Sequence, residues 1–305
     1  MKPIRSTPWT RRTLLLSGAG TALTAGPLAP TAHASGQPGP AVAELRALER
    51  EHGARLGVFA WNTSTNETVL HRAGERFPIC SLFKTVAVAA VLRDLDRDGT
   101  YLRTTIRYTR DDIAGAGHVP VTGLPQNLEQ GMTVEELCAA TITFSDNGAA
   151  NLLLRELGGP AAITRFCRSL GDDITRLDRW EPDLNSAEPD RITDTTTPLA
   201  IGRTYARLTL TRALGTADRE RLTGWLLANT TGDRRLRAGL PADWRVAEKT
   251  GSGSYGTTND AGIAWPPGRG PVVLAVLATK PADAQAPADE PLLAKTARIV
   301  SAALG

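Results

Sequence analysis

The order of strand and helix patterns along the chain most strongly limits the folds that it can adopt. Strand patterns flank a polar turn at 55–61 and 67–71, and three more lie towards the C-terminus at 245–249, 260–265 and 272–279. The long stretch between the two groups has helical spacing of apolar residues and helix-capping signals instead. Strands so far apart can share one sheet only if the helical middle is inserted between them.

We therefore predict an α/β (α+β) fold, in which an antiparallel sheet of about five strands with flanking helices receives an inserted all-helical domain. The sheet domain is expected to comprise residues 35–75 and 228–305, and the helical domain residues 76–227, with the active site between them. A chain of 305 residues, 41% of them hydrophobic, is long enough to bury such a core.

Several helices are predicted with specific signals. The stretch 81–95 is rich in Ala, Val and Leu and contains neither Gly nor Pro, as in a buried helix. Thr133-Val134-Glu135-Glu136 has the capping-box pattern. In contrast, 178–198 contains three prolines and many Asp and Thr residues, which predicts a long functional loop. The remaining predicted helices span 41–53, 151–157, 161–170, 199–214, 218–227 and 291–304.

Residues 1–34 are predicted to be an export signal of the twin-arginine type that is removed from the mature protein. This segment is basic and free of acids, places Arg11-Arg12 just ahead of a leucine run, and ends in Ala32-His33-Ala34 before Ser35. A membrane anchor is the alternative, but the apolar stretch is shorter than about 20 residues and is interrupted by Gly and Pro. We expect an exported protein, either secreted or periplasmic.

Charge and cysteine content disfavour several function classes. The formal charge of +3 includes the cations of residues 1–34, so the remaining chain is nearly neutral and offers no surface for nucleic acid or an anionic membrane. Cys80, Cys138 and Cys167 cannot all pair within one chain, and no Cys or His spacing is typical of a metal site. We expect no metal, no organic cofactor and a monomer.

The pair Ser81 and Lys84 is the first candidate for chemistry. Their spacing of three places both side chains on one face of the predicted helix, so that the Lys amine can reach the Ser hydroxyl. A serine hydroxyl needs such a base, and the positive end of a helix favours developing negative charge. Alone, the pair is more often a surface or capping pair.

Two further motifs follow in order. Ser145-Asp146-Asn147 lies at a helix junction, where an N-cap is the ordinary interpretation, and Lys249-Thr250-Gly251 ends a predicted strand, where a turn is the ordinary interpretation. Each is ambiguous singly. The order Ser-x-x-Lys, Ser-Asp-Asn, Lys-Thr-Gly is, however, the motif combination of class A β-lactamases and penicillin-binding proteins.

On these motifs the chain resembles a class A serine β-lactamase over essentially all of residues 41–304. The resemblance extends to the sequence around the motifs, in Phe77-Pro78-Ile79-Cys80-Ser81-Leu82-Phe83-Lys84, in Lys249-Thr250-Gly251-Ser252-Gly253 and in the segment 255–260. It implies the fold that the strand and helix patterns predict, and a β-lactam as the small-molecule substrate.

Glu181 distinguishes a hydrolase from its non-hydrolysing relatives. It lies in Trp180-Glu181-Pro182-Asp183-Leu184-Asn185, which resembles the family's Glu-x-x-Leu-Asn motif on the loop across the active-site floor. Rapid hydrolysis of an acyl-enzyme requires a carboxylate to deprotonate water. The resemblance assigns this role to Glu181, with Asn185 as the second holder of that water. A solvated loop acid is the alternative.

The resemblance also implies the other roles. Ser81 is the nucleophile, with Lys84 or Glu181 through water as its base, a choice that the sequence leaves open. Ser145 relays a proton to the β-lactam nitrogen, and Asn147 binds the substrate's side-chain amide. Further site residues are the oxyanion-hole N–H groups of Ser81 and Ser252, and the substrate-binding residues Lys249, Thr250, Gly251 and Ser252.

Arg235 matches the position where some family members place an arginine that binds the substrate carboxylate, a role suited to a guanidinium. Arg234 and Arg237 are neighbours that could serve instead. His118 stands where many members have an aromatic residue at the cleft entrance, in a segment, 115–131, that is lengthened by two residues. These departures leave the preferred substrate open.

Three alternatives are weighed against hydrolysis of β-lactams. A DD-peptidase or other penicillin-binding protein shares the three motifs, but Glu181 and the expected loss of the N-terminal segment argue against it. A non-hydrolysing β-lactam sensor would be acylated without turnover and is expected to be tethered to a membrane, whereas the sequence after residue 34 has no transmembrane pattern. A general esterase would place its serine in a Gly-x-Ser-x-Gly elbow, which does not surround Ser81.

Overall fold

A five-stranded antiparallel sheet forms the centre of the computed structural model, which describes residues 39–304. Its strands are β1 (Arg55–Asn62), β2 (Thr68–His71), β3 (Arg245–Gly253), β4 (Thr257–Trp265) and β5 (Val272–Thr279). Their spatial order is β2-β1-β5-β4-β3. Strand β1 pairs with β5 along its full length, from Arg55 opposite Thr279 to Asn62 opposite Val272. The predicted sheet of distant strands is confirmed.

Helices fill the stretch between β2 and β3 and flank the sheet. They are α1 (Pro40–Glu51), α2 (Phe83–Ala90), α3 (Arg110–Ile113), α4 (Pro125–Gln130), α5 (Val134–Thr143), α6 (Asn147–Glu156), α7 (Ala161–Ser169), α8 (Pro198–Leu210), α9 (Thr216–Leu227), α10 (Leu236–Gly239) and α11 (Glu290–Leu304). Short strands pair at Phe77–Pro78 with Thr195–Thr196, and at Thr105–Ile106 with Met132–Thr133.

Several element boundaries differ from the sequence prediction, and three of them have a clear local basis. The strand predicted at 245–249 continues to Gly253 as β3, because it pairs with β4 throughout. The helix predicted from 151 begins at Asn147, since the Asp146 carboxylate caps it by accepting from Ala149 N–H. The helix predicted at 81–95 is an α-helix only in α2, with a 3₁₀ turn at Cys80–Leu82 before it and a π turn at Val91–Leu95 after it.

Helices cover both faces of the sheet. Apolar residues of α1 and α11, among them Leu45, Leu48 and Leu292, pack with Leu56 and Val276 of the sheet in one cluster. On the other side Gly202 of α8 lies so close to Phe59 of β1 that an added Cβ would be 2.4 Å from its ring. Strand β5 is consequently buried along its whole length, as its continuous apolar sequence requires.

Helix α2 is the centre of the helical region. Every one of its residues is buried, and the surrounding cluster includes Leu137 of α5, Leu153 of α6 and Leu222 of α9. The described residues, 39–304, belong to one compact unit. The division of the chain into a sheet domain and an inserted helical domain at 76 and 227 therefore stays a prediction.

The loop predicted at 178–198 contains a 3₁₀ turn at Asp183–Ser186. Asp194, near its end, bonds to residues at its beginning. The Asp194 carboxylate is 1% exposed and accepts from the backbone N–H groups of Asp178 and Arg179. Its other oxygen lies 2.6 Å from Arg179 Nε. A buried ion pair with backbone donors holds the two ends of the loop together.

The prediction of an export signal falls on residues 1–34, which lie outside the described residues. Among residues 39–304, no helix combines the length and the apolar character that are needed to cross a bilayer.

The sheet and α8 leave no room for a side chain at Gly57. A Cβ there would lie 2.5 Å from Phe77 Cε2 and 2.8 Å from Pro198 Cγ. We expect Gly57→Ala to lower the free energy of unfolding by about 1–3 kcal/mol, measured by urea denaturation. Gly224, inside α9, is the control because a Cβ there meets nothing within 4 Å. Gly224→Ala should instead stabilise by about 0.5–1 kcal/mol; equal effects of both changes would contradict the packing argument.

Candidate active site

Ser81 lies at the start of the buried helix, in the 3₁₀ turn that leads into α2. The preceding residue, Cys80, has a positive φ of 44°, which is unusual for a residue other than glycine and turns the chain sharply before the helix. Ser81 is 8% exposed, and its hydroxyl donates to Glu181 Oε1 across 3.4 Å. The serine is thus recessed but not sealed from solvent.

The Lys84 ammonium is fully buried and is surrounded by acceptors from two other segments. Its Nζ lies 2.6 Å from Asn147 Oδ1, 2.8 Å from the Ser145 carbonyl oxygen and 3.2 Å from Ser145 Oγ. Glu181 Oε1 is 3.1 Å away. Among the described residues, the hydrogen bonds of Lys84 go to these groups, whereas the Ser81 hydroxyl donates to Glu181.

The Ser145-Asp146-Asn147 motif is rigidly held. Ser145 has a positive φ of 56°, and the buried Asp146 carboxylate accepts from Val121 N–H, Thr122 N–H and Thr122 Oγ1–H besides capping α6. This anchoring directs the Ser145 carbonyl and hydroxyl oxygens towards Lys84. The N-cap interpretation of the motif and its place in the site therefore both hold.

Glu181 is positioned by amides on either side. Asn151 Oδ1, in α6, accepts a hydrogen bond from Glu181 N–H at 3.0 Å, and Asn151 Nδ2 donates one to the Glu181 carbonyl oxygen at 2.9 Å. Asn185 Nδ2 donates to the carboxylate of Glu181 at Oε2. The side chain of Glu181 is fully buried. The Oδ1 atom of Asn185 is buried and has no protein donor. A carboxylate beside an unpartnered amide oxygen forms a polar position that suits one water molecule.

Strand β3 forms the opposite wall. A Cβ added at Gly251 would lie 3.3 Å from the Ser81 nitrogen, so the strand passes directly beside the serine backbone. Lys249 is fully buried, and its Nζ donates to the Thr250 carbonyl oxygen at 3.0 Å. Ser252 is exposed to the cleft. The three polar side chains of this strand thus approach the site from one edge of the sheet.

Of the three neighbouring arginines, Arg235 reaches the end of this strand that borders Ser81, whereas Arg237 contacts the strand further back, at Val246 and Glu248. Its Nη1 donates to the carbonyl oxygens of Gly251 and Asn259, each at 2.8 Å, and its Nη2 donates to Ser252 Oγ at 2.7 Å. Arg234 is 85% exposed, and Arg237 turns to the buried Glu248 with its Nε 3.1 Å from Oε1.

Burial changes the acidity of the two lysines. Desolvation lowers the pKa of Lys84, although Glu181 and Asp146 oppose this effect. The pKa of Lys249 lies well below its usual value because desolvation is reinforced by the positive charges of Lys84 and Arg235. The site therefore concentrates positive charge that an anionic ligand would relieve.

The cysteines are buried free thiols, as expected from their number. Desolvation raises the pKa of each thiol, so none has the character of a nucleophile. Gly253 packs tightly beside Cys80. A Cβ at Gly253 would lie 2.9 Å from the Cys80 sulfur and 2.6 Å from the Asn185 carbonyl oxygen.

His118 lies at the rim of the site. It is exposed, with its Nε2 3.1 Å from the Phe144 carbonyl oxygen, and its own carbonyl oxygen accepts from Asn147 N–H. Two residues that the sequence analysis missed are Asn151, which holds Glu181, and Thr231, whose Oγ1 is 2.5 Å from Thr250 Oγ1. Asn151 could have been found because it follows Asn147 by four residues on one helix face. No sequence signal marks Thr231.

A recessed serine, a buried ammonium, a carboxylate beside a water position and a cationic wall are the parts of an acyl-transferring serine hydrolase. Comparisons with known proteins agree. A family described as the Beta-lactamase enzyme family matches residues 40–304. The chain is 63% identical over 297 residues to a β-lactamase of Streptomyces lavendulae, covering 97% of each chain, and 61% identical over 296 residues to one of Streptomyces fradiae, covering 96% of each.

A solved β-lactamase structure from Streptomyces albus G superposes with a TM-score of 0.86 at 61% identity, covering 87% of this chain and 99% of that one. The chain belongs to the β-lactamase enzyme family, and within it to the class A serine enzymes.

Proposed function

We propose that the protein hydrolyses β-lactam antibiotics, penicillins and cephalosporins, through an acyl-enzyme on Ser81 that is deacylated by a water molecule activated by Glu181. The observation that carries this proposal is the buried Glu181 carboxylate, which accepts from the Ser81 hydroxyl and lies beside the unpartnered Oδ1 of Asn185. Family membership supports the same reaction.

Acylation begins with attack of Ser81 Oγ on the carbonyl carbon of the β-lactam. We assign the proton of Ser81 to Glu181, either directly or through water, because Glu181 Oε1 is the acceptor of the Ser81 hydrogen bond. Lys84 then acts as a cation that stabilises the negative charge on both oxygens. The alternative, a neutral Lys84 as the base, is favoured by its lowered pKa and opposed by its four acceptor contacts.

The carbonyl oxygen of the substrate acquires negative charge during this attack. We assign its stabilisation to the backbone N–H groups of Ser81 and Ser252, since Gly251 brings β3 against the Ser81 nitrogen. The C–N bond then breaks, and the ring nitrogen takes a proton. Ser145 Oγ, 3.2 Å from Lys84 Nζ, is the proposed relay for this proton. Ser145 is reprotonated by Lys84, which in turn takes the proton that Glu181 received from Ser81, so that Glu181 is ionised again before deacylation.

Deacylation requires a water molecule close to the ester carbon. Glu181 Oε2 and Asn185 Oδ1 are the proposed holders of this water, with Glu181 taking its proton as the ester carbon is attacked. The proton then returns to Ser81 Oγ when the acyl group leaves. The amide of Asn151 supports this step because it fixes the Glu181 backbone on both sides.

The substrate carboxylate is proposed to bind at the cationic wall. Ser252 Oγ accepts a hydrogen bond from Arg235, so its own proton remains available for the substrate. Lys249 and Arg235 supply the positive charge, and Thr250 supplies a second hydroxyl. Gly251 allows the close approach of the strand.

The remaining assignments concern the substrate side chain and the state of the protein. We propose that Asn147 binds the side-chain amide of the substrate and that His118 borders the cleft entrance. The protein is proposed to act as an exported monomer without nucleic-acid, membrane or cofactor partners. Its sheet domain is proposed to comprise residues 35–75 and 228–305 around the helical domain 76–227.

Replacing Glu181 separates the two halves of the reaction. In Glu181→Gln we expect steady-state turnover of a chromogenic cephalosporin to fall at least about 100-fold, because the water loses its base. Mass spectrometry should detect an accumulated acyl adduct on Ser81. Glu188→Gln is the control, since this partly exposed acid lies in the same loop and pairs with Arg191.

Both the adduct and the wild-type kinetics are informative. A single stoichiometric burst from the wild type would identify a penicillin-binding protein or a sensor instead of a hydrolase. An acylation rate that stays unchanged in Glu181→Gln would transfer the role of acylation base to Lys84.

Replacing Arg235 tests the carboxylate site. We expect Arg235→Ala to raise KM about 10- to 100-fold for a penicillin, consistent with the roughly 1.5–3 kcal/mol of a hydrogen bond to a charged group. For the methyl ester of the same penicillin, which has no free carboxylate, KM should change little between wild type and variant. The exposed neighbour Arg234→Ala is the matched control. An equal loss on the ester would show that Arg235 only supports the structure.

Export is tested separately with the full-length chain in a bacterial host. We expect the exported protein to begin at about Ser35 by N-terminal sequencing, and the double change Arg11→Lys and Arg12→Lys to retain the protein inside the cell. Unchanged export of the double variant would exclude the twin-arginine route.

A further inference from the structure

Two buried carboxyl side chains lie next to the proposed carboxylate site and take no part in the reaction derived above. Glu248 is in β3 and Asp260 is in β4; their direct cross-strand partners are Gly262 and Thr250. Asp260 lies directly opposite Thr250, and Thr250 is two residues from Glu248 on the same strand. The side chains of Glu248 and Asp260 therefore project from the same face of the sheet as diagonal neighbours. Both residues have no exposed surface.

These carboxyl groups lack enough donors for two negative charges. Glu248 Oε2 and Asp260 Oδ1 are buried without a protein donor, and Glu248 Oε1 has only the ion-pair contact with Arg237 Nε at 3.1 Å, which lacks hydrogen-bond geometry. The side chains of Glu248 and Asp260 are each other's hydrogen-bonding partners. Because an ionised carboxylate only accepts, this contact requires one of the two groups to be protonated.

We propose that Asp260 and Glu248 share one proton, and that this carboxyl pair fastens the segment that carries Arg235 to the sheet. Asp260 Oδ2 accepts from Leu236 N–H at 3.1 Å, which holds the residue directly after Arg235. Gly232 covers the Glu248 carboxyl so closely that a Cβ there would be 1.6 Å from Oε1.

The fastened segment, Gly232 to Leu236, is a short turn that contains Arg235. Arg235 N–H donates to the Gly232 carbonyl oxygen at 2.9 Å, which closes the turn between the two anchored points. Glu248 therefore supports one end of the segment and Asp260 the other. Both are positioning residues: they act on the substrate only through Arg235.

The surrounding charges suit a pair with a single negative charge. Burial raises the pKa of Glu248, against the opposing effects of Asp260 and of the cations Arg237, Arg235 and Lys249. Arg237 is the nearest of these cations, with its Nε 3.1 Å from Glu248 Oε1. Desolvation and the neighbouring Glu248 nevertheless raise the pKa of Asp260 well above its usual value, against the opposing effect of Arg235. Lys249 and the phenol of Tyr205 also interact electrostatically with Asp260, and the pKa of Tyr205 is raised mainly by its own burial. We assign the shared proton to Asp260, because Arg237 pairs with Glu248 and favours its ionised form.

The first measurement follows stability against pH and needs no substrate. Unfolded Asp260 loses its proton at about pH 4, whereas the folded group retains it, so the wild type loses stability as the pH rises above about 4 until the folded pair itself titrates. In Asp260→Asn the side-chain amide is neutral and can donate a hydrogen bond in both the folded and the unfolded protein. Relative to this variant, the unfolding constant of the wild type should rise about tenfold per pH unit over that interval.

Glu248→Gln is the second variant, because its amide can also supply the shared hydrogen. It should remove the same pH dependence and keep the proposal testable if Asp260→Asn does not fold. Urea denaturation from pH 4 to pH 9 measures all three proteins. Parallel stability curves for the wild type and either folded amide variant would overturn the shared proton.

The second measurement concerns Arg235 and rests on the proposed function. We expect Asp260→Asn to keep KM for a penicillin within about threefold, since its Oδ1 can still accept from Leu236 N–H. Asp260→Ala removes that acceptor and should raise KM about tenfold with little change in kcat. The KM of the penicillin methyl ester should not respond. Equal KM values for the Asn and Ala variants would overturn the fastening role.

The two measurements fail independently. A wild type without hydrolytic turnover would refute the proposed function and leave the stability test valid. Parallel stability curves in an active enzyme would refute the carboxyl pair alone.

Discussion

The burial of the Lys84 ammonium is the constraint on which the site depends. A charged amine without water costs several kcal/mol unless acceptors replace its hydration shell. Here the acceptors come from Ser145, Asn147 and Glu181, which belong to a helix junction and a loop far from α2 in the chain. The same contacts that solvate Lys84 bring the serine hydroxyl, the second serine and the loop carboxylate together. Folding of the helical region and assembly of the site are therefore one event.

Local backbone geometry supports this arrangement at the two serines. Cys80 and Ser145 both have positive φ values, 44° and 56°, although neither is a glycine. Such conformations cost about 1–3 kcal/mol each and persist where surrounding contacts impose them. The fully buried Cys80 side chain and the anchored Asp146 carboxylate provide those contacts. A small, buried thiol before the nucleophile thus has a packing role, consistent with its raised pKa.

The same fold serves both sides of the ligand with different chemistry. The helical side holds the groups that exchange protons, whereas β3 and the segment around Arg235 concentrate positive charge. Glu248 and Asp260 lie behind this second side and contribute negative charge and hydrogen bonding to the segment around Arg235. In the proposed function, neither acid contacts the substrate. This separation explains how a nearly neutral protein can present a strongly cationic cleft.

Much of this protein was determined by its sequence alone. Strand alternation and capping signals predicted the five-stranded sheet, the helical middle and the loop around Glu181, because these depend on periodicity within one segment. The three motifs predicted the residues that the fold brings together around Ser81. Only the tertiary structure decided which arginine bonds to Gly251 and Ser252, where Thr231 contributes, and which acceptors surround Lys84. Those outcomes depend on contacts between segments far apart in the chain, and no local spacing in one sequence encodes such distances.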